Sequence, residues 1–188
     1  MQAWCSPHMK TDTFARMFAL VALAVASLWA AELLRPGVPA PDLRLKDQYD
    51  NEVRLEDCLG KATLLIYGDR AGSTYMGIWA RAVGEAFPAE PNAVKLVRIA
   101  NLKAVPPFYH NFAKRKFQAP DEDGKPRVPV LLDWEGIVAK RFGAMEDMTN
   151  VYLIDPAGIL RYSAAGKATS EETQALVKAI KALDSKAP

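Results

Sequence analysis

The stretch "YGDRAGSTYM", Tyr67 to Met76, places a carboxylate (Asp69), a guanidinium (Arg70) and the hydroxyls of Ser73, Thr74 and Tyr75 where an apolar run gives way to an amphipathic one. Two chemistries suit such a junction. The free N–H groups at a helix N-terminus hold anions, with Arg70 and Ser73 as side-chain ligands. The same partial positive charge stabilises a thiolate, but "ATLLIYGDRAGSTYMGIWARAVGEAF", Ala62 to Phe87, contains no cysteine. The plainer reading is structural: Ser73 caps the helix and Asp69 pairs with Arg70.

Other reactive side chains are sparse. The cysteines are Cys5 and Cys58, and the histidines are His8 and His110. Cys5 and His8 precede an export signal described below, so the mature chain keeps one of each. A lone Cys58 forms no internal disulfide. In "LEDCLGKATLL" it reads as a small buried hydrophobe, with pairing between chains as the other possibility. One histidine supplies neither a zinc set nor a Ser/His/Asp set, and His110 reads as structural. No metal motif, phosphate loop or dinucleotide fingerprint is present, so no metal or cofactor is implied. "KRK", Lys114 to Lys116, lies among Phe108, Tyr109, Phe112 and Phe117 and suits an acidic partner or lipid headgroups. Because "DED" follows at Asp121 to Asp123, a solvated charged face is the favoured reading. A formal net charge of +2 does not provide the concentrated basic surface that nucleic acid requires.

The elements that must position the junction follow from periodicity. "ATLLIYG" is a continuous apolar run, as in a strand buried on both faces. Met76, Trp79, Ala80, Val83 and Phe87 then share one helical face. Around Asp50-Asn51 short alternating pieces predict a hairpin. "VKLVRIA", "VPVLLD", "NVYLID" and "ILRYSAAG" predict further strands. "PPFYHNFAKRKF" predicts a helix with Phe108 and Phe112 inward, and "GIVAKRFG" a short helix closed by Gly143. Thr169 and Glu172 form a capping box for a last helix, with Leu176, Val177, Ile180 and Leu183 facing inward. The expected order is a hairpin followed by β-α-β-α-β-α-β-β-α. That is an α/β sandwich with helices on both faces of one mixed sheet and an antiparallel edge.

The chain has 188 residues, half of them hydrophobic, enough for one domain with a proper core. "MFALVALAVASLWAA", Met17 to Ala31, is uncharged, follows Lys10 and Arg16, and precedes Glu32. This is the plan of a secretory signal, too short to span a bilayer comfortably. Residues 1–31 are therefore assigned to a cleaved signal or, if uncleaved, to a membrane anchor over 14–31. Ala26 and Ala31 are alternative cleavage points, and Met9 is an alternative start. Either way the basic flank stays inside and the domain is exported to the periplasm or beyond. "ELLRPGVPAP", 32–41, reads as a Pro-rich linker, and 42–185 as the domain.

On "PGVPAPDLRLKDQYDNEVRL", "LGKATLLIYG", "VPVLLDWEGIVAKRFGA" and "VYLIDPAGILRY" the chain resembles the thioredoxin-like superfamily, in its redoxin branch of alkyl hydroperoxide reductase/thiol-specific antioxidant proteins and exported thiol-disulfide oxidoreductases. The resemblance implies a three-layer sandwich, with a mixed central sheet flanked by helices and an N-terminal β-hairpin extension. It also implies a reactive cysteine just after the first core strand, at Gly72 or Ser73, with any partner at Tyr75 or Met76. Neither frame contains cysteine. A second implied feature is a cis-proline before "VYLID"; the matching position is Thr149, where a cis bond would cost about 3 kcal/mol, so a trans peptide is expected. With both features lost, the expectation is a non-catalytic binding or accessory module. Its face would comprise Asp69, Arg70, Gly72, Ser73, Thr74, Tyr75 and Thr149, and its partner would be a protein or a small anion. The alternatives are a redoxin-class thiol-disulfide oxidoreductase or peroxidase using Cys58 atypically, and a small-anion sensor built on Arg70 and Ser73.

Overall fold

The structure, a computed structural model, describes residues 33–88, 94–121, 124, 125 and 127–184. The segment 1–31, assigned to a signal or anchor, lies outside the described residues.

Seven strands form one sheet. β1 (Arg44–Asp47) and β2 (Glu52–Arg54) make the N-terminal hairpin. Asp50 takes a left-handed φ of 70° in its turn, and the Asp47 carboxylate accepts the N–H groups of Tyr49 (2.8 Å) and Asn51 (2.9 Å). β3 (Ala62–Gly68) is buried along its whole length, as a continuous apolar run dictates. It leads into α1 (Ser73–Ala86) and β4 (Val94–Asn101). α2 (His110–Gln118), β5 (Val130–Asp133) and α3 (Ile137–Phe142) follow. β6 (Thr149–Ile154) and β7 (Leu160–Gly166) form the closing hairpin, and α4 (Ser170–Asp184) ends the described chain. The strand order is β2-β1-β5-β4-β3-β6-β7. The β5-β4-β3 core is parallel, and the other pairings are antiparallel. The architecture is the mixed α/β sandwich that the pattern of elements predicts.

Side chains alternate across each strand, so the sheet has two apolar faces. Leu65, Tyr67, Val97, Ile99 and Tyr152 pack with Val138 and Phe142 of α3 on one. Leu64, Ile66, Val151 and Leu153 pack with Trp79 of α1 and with Leu176 and Ile180 of α4 on the other. Trp79 is fully buried, and Met76, Ala80, Val83 and Phe87 pack around it, so the helical face predicted for α1 is the observed one. The capping box of α4 also forms: Thr169 N–H donates to Glu172 Oε2 (2.9 Å), and Glu172 N–H donates to Thr169 Oγ1 (3.3 Å).

Two expectations about the helices are corrected. Phe108 and Phe112 do not face inward; they are 79% and 52% exposed. Phe108 sits in a 3-10 turn, Pro107–Tyr109, ahead of α2, so the α-helical phase assumed from Pro106 onward is broken. Ser73 is not the cap of α1. It is the first helical residue, and its hydroxyl donates to Arg70 O (2.8 Å). The segment read as a linker is also tied to the fold. Leu34 N–H donates to Phe142 O (3.0 Å), Gly37 N–H to Leu160 O (2.8 Å) and Ala40 N–H to Gly158 O (2.9 Å).

The β6–β7 turn is organised by Asp155. Its Oδ1 accepts Ala157 N–H (2.9 Å) and Ile159 N–H (2.8 Å), and its Oδ2 accepts Arg161 Nε (2.7 Å). Burial works to raise its pKa, but the Ile159 amide and the Arg161 guanidinium outweigh it, and the net shift is below the usual carboxylate range. A carboxyl whose folded pKa is depressed adds stability above its unfolded pKa and loses it as the pH falls through the folded value. Stability is therefore expected to drop as the pH falls below about 4, and to drop less steeply in Asp155→Asn. Thermal melts of both proteins from pH 7 to pH 2.5 measure this. Parallel curves would show that Asp155 is not responsible.

Candidate functional site

The junction at the end of β3 is built by Asp69. Its Oδ1 accepts Gly72 N–H (2.8 Å), which satisfies a free donor at the start of α1, and its main-chain carbonyl accepts Ser73 N–H (2.8 Å). Oδ2 reaches across to accept Asp147 N–H (2.9 Å) in the loop before β6. Asp147 is left-handed, with φ 57°, a conformation that aspartate tolerates better than most residues. Asp69 is therefore a strut between two loops and has no ion pair with Arg70.

The two loops touch at Gly72. Thr149 is buried, and its hydroxyl donates to Gly72 O. A Cβ on Gly72 would lie 2.2 Å from Met148 O and 3.0 Å from Thr149 N. Nor is that loop free to retreat. The buried Asn150 donates through Nδ2 to Met145 O (2.9 Å) and Met148 O (3.1 Å), and accepts Met145 N–H at Oδ1 (2.8 Å). The described residues contain no cis peptide bond. The reactive slot implied by the resemblance is therefore closed against any side chain at Gly72. Thr149, where proline is implied, supplies the hydroxyl that ties the loops together.

Beside this contact lies a groove of about 1050 Å³. Gly68, Asp69, Arg70, Ser73 and Asp147 line one end, and Met76 of α1, Leu102, Val105, Phe117 of α2 and Val130 of β5 line its apolar body. Arg98 and Ala100 alternate with the buried Val97 and Ile99 of β4, so they point to the opposite face and line the groove. The structure thus brings Asp69, Arg70 and Ser73 to the groove and Gly72 and Thr149 to its edge. Thr74 is exposed and Tyr75 half-buried, and neither lines the groove. Sequence reading does not single out Arg98 or Asp147, and it places Phe117 in the patch around Lys114 to Lys116 rather than in this groove. An arginine on the inward side of "VKLVRIA" was the available signal for the first.

Cys58 lies before β3, at the opposite end of that strand from the groove, about 20 Å away for a strand of this length. It is 3% exposed, and its thiol lies 3.5 Å from Arg54 O. His110 stacks on Trp134 at 3.9 Å, and its Nε2 lies 3.0 Å from Val105 O, a structural placement. Burial raises the hydroxyl pKa values of Tyr67 and Tyr152 well above the usual range, so neither is poised as a base. Among the described residues no cluster of three or more His, Cys, Asp or Glu side chains could hold a metal.

The order of elements and the strand-to-helix junction define a thioredoxin-like protein. The chain belongs to the AhpC/TSA family, whose model matches residues 36–163, and it lacks the redox cysteines expected at that junction. Three solved structures illustrate the likeness. A candidate thiol:disulfide interchange protein, DsbE, from Chlorobium tepidum superposes with a TM-score of 0.58 at 21% identity, over 80% of this chain and 98% of that one. A thiol peroxidase from Chromobacterium violaceum does so with a TM-score of 0.56 at 18% identity, over 80% and 88%. The exposed lipoprotein thioredoxin Etrx1 of Streptococcus pneumoniae gives a TM-score of 0.55 at 18% identity, over 76% and 100%. No curated protein matches the chain. At these identities the likeness is one of fold.

Proposed function

We propose that this is an exported redoxin-fold protein without redox catalysis, working as a binding or accessory module through the face that includes Asp69, Arg70, Gly72, Ser73, Thr74, Tyr75 and Thr149. The observation that carries the reading is the contact at Gly72. Neither frame of the reactive position carries a thiol: Gly72 has no room for one and is held against the facing loop by Thr149, Asn150 and Asp69, and Ser73 offers only a hydroxyl, which donates to Arg70 O. The burial of Cys58 far from the groove speaks against an atypical catalytic thiol there. Export is supported by the uncharged run 17–31 behind Lys10 and Arg16, and it agrees with the description of Etrx1 as an exposed lipoprotein. Residues 1–31 would then be a signal or anchor, and a partner protein would meet the domain outside the cytoplasm.

Arg70 is exposed and has no hydrogen bond or ion pair from its guanidinium among the described residues, so it is free to meet a partner. Arg70→Ala is expected to weaken partner binding about tenfold to a hundredfold, the loss of one charged hydrogen bond. Melting should change little, because surface substitutions usually stay within about 0.5 kcal/mol. Crosslinked capture from the exported compartment, followed by titration of the captured protein against wild type and variant, measures both. Equal affinity for the variant would move the functional face elsewhere. A matching loss of stability would make Arg70 structural.

A further inference from the structure

We propose that the groove between α1 and α2 binds an aliphatic carboxylate, a fatty acid in chemical class, with its head on Arg98 and its chain along Ala100, Val105, Phe117 and Val130. The inference rests on the preceding reading of this face as a binding surface and specifies its ligand. Arg98 is half-buried in the groove floor and has no hydrogen bond or ion pair among the described residues. A guanidinium left without a protein partner in a partly buried groove is open to a ligand, and a carboxylate satisfies it through two parallel hydrogen bonds. The groove's carboxylates make no ion pair with Arg98. Asp69 is oriented by the amides of Gly72 and Asp147, which donate to its two oxygens, and Asp147 is exposed at the rim. Arg70 at the same rim adds a second cation.

The rest of the lining favours a hydrocarbon over a peptide. An extended peptide brings a row of N–H and C=O groups that need partners, usually a free sheet edge. The strands under this groove have none to offer, since β4 is paired on both sides by β3 and β5, and β5 is paired by β4 and β1. An aliphatic chain makes no such demand. The volume reaches the upper end of the range for small-molecule pockets, roughly 300–1000 Å³.

Calorimetric titration of the full chain with dodecanoate and with dodecanol tests the proposal. The expected result is one saturable dodecanoate site per chain, with dodecanol at least about tenfold weaker. Arg98→Met keeps the apolar stem and removes the charge. It should weaken dodecanoate about tenfold to a hundredfold, bring it level with dodecanol and leave the melting temperature unchanged. Should Arg98→Met fold poorly, Ala104→Glu at the exposed rim reads the same electrostatics: dodecanoate weakens several-fold and dodecanol does not. Equal binding of acid and alcohol, or dodecanoate affinity untouched by these substitutions, overturns the proposal. Absence of dodecanoate binding to wild type, with partner capture still sensitive to Arg70→Ala, removes the ligand class and leaves the proposed function standing. Loss of both removes both.

Discussion

Replacing Gly72 by alanine is expected to destabilise the protein by about 2–3 kcal/mol, in the upper part of the usual range for overpacking. For a domain of this size the melting temperature should fall by roughly 5–10 °C. The new Cβ would lie 2.2 Å from Met148 O, and a backbone atom cannot rotate aside as a side chain can. Met148 O is held by Asn150 Nδ2, Asp147 N–H by Asp69, and Gly72 O by the Thr149 hydroxyl, so relief requires breaking part of that set. The effect is one of space rather than of backbone freedom, because Gly72 has an ordinary right-handed φ of −62°. Gly77, in the same helix, is the internal control. No atom lies within 4 Å of a Cβ built there, and Gly77→Ala should stabilise by roughly 0.5–1 kcal/mol. Thermal or denaturant melts of the two variants should therefore move in opposite directions. A Gly72→Ala protein as stable as wild type would mean that the Met148-Thr149 loop stands away from α1, and the slot would then be open. Gly72→Cys meets the same obstacle, so a cysteine placed in that frame is expected to lower stability before it restores chemistry.

How much of this was legible in the sequence depends on the range of the interaction. β3, the apolar face of α1 around Trp79, the Asp50-Asn51 turn and the Thr169/Glu172 capping box were readable because each is set by residues within a turn or two of one another. The helix at Phe108 was misread because a 3-10 turn shifts the phase without any change in composition. Asp69 was misjudged as a surface partner of Arg70, although an aspartate three residues before Gly72 was well placed to reach its free N–H. The closure at Gly72 was not legible. It depends on the register that brings Met148 against residue 72, and glycine in the sequence does not say what occupies the missing Cβ. Arg98 was hidden for the same reason: its place in a groove follows from the side of β4 on which it falls and from the neighbours that α1 and α2 provide.

The absence of thiol chemistry is the other large expected effect. Redoxin turnover requires a thiolate that a substrate can reach, and neither serine nor glycine enters the reversible oxidation ladder of cysteine. Cys58 is the only cysteine among the described residues; it is 3% exposed and lies at the far end of β3 from the groove. Enzymes accelerate their reactions by about a millionfold or more, so even a weakly active member would stand clear of background. The decisive measurement is disulfide reduction and peroxide consumption by the full chain, with wild type compared against Cys58→Ser. Rates indistinguishable from the uncatalysed reactions are expected for both proteins. Turnover well above background in wild type, abolished by Cys58→Ser, would contradict that expectation.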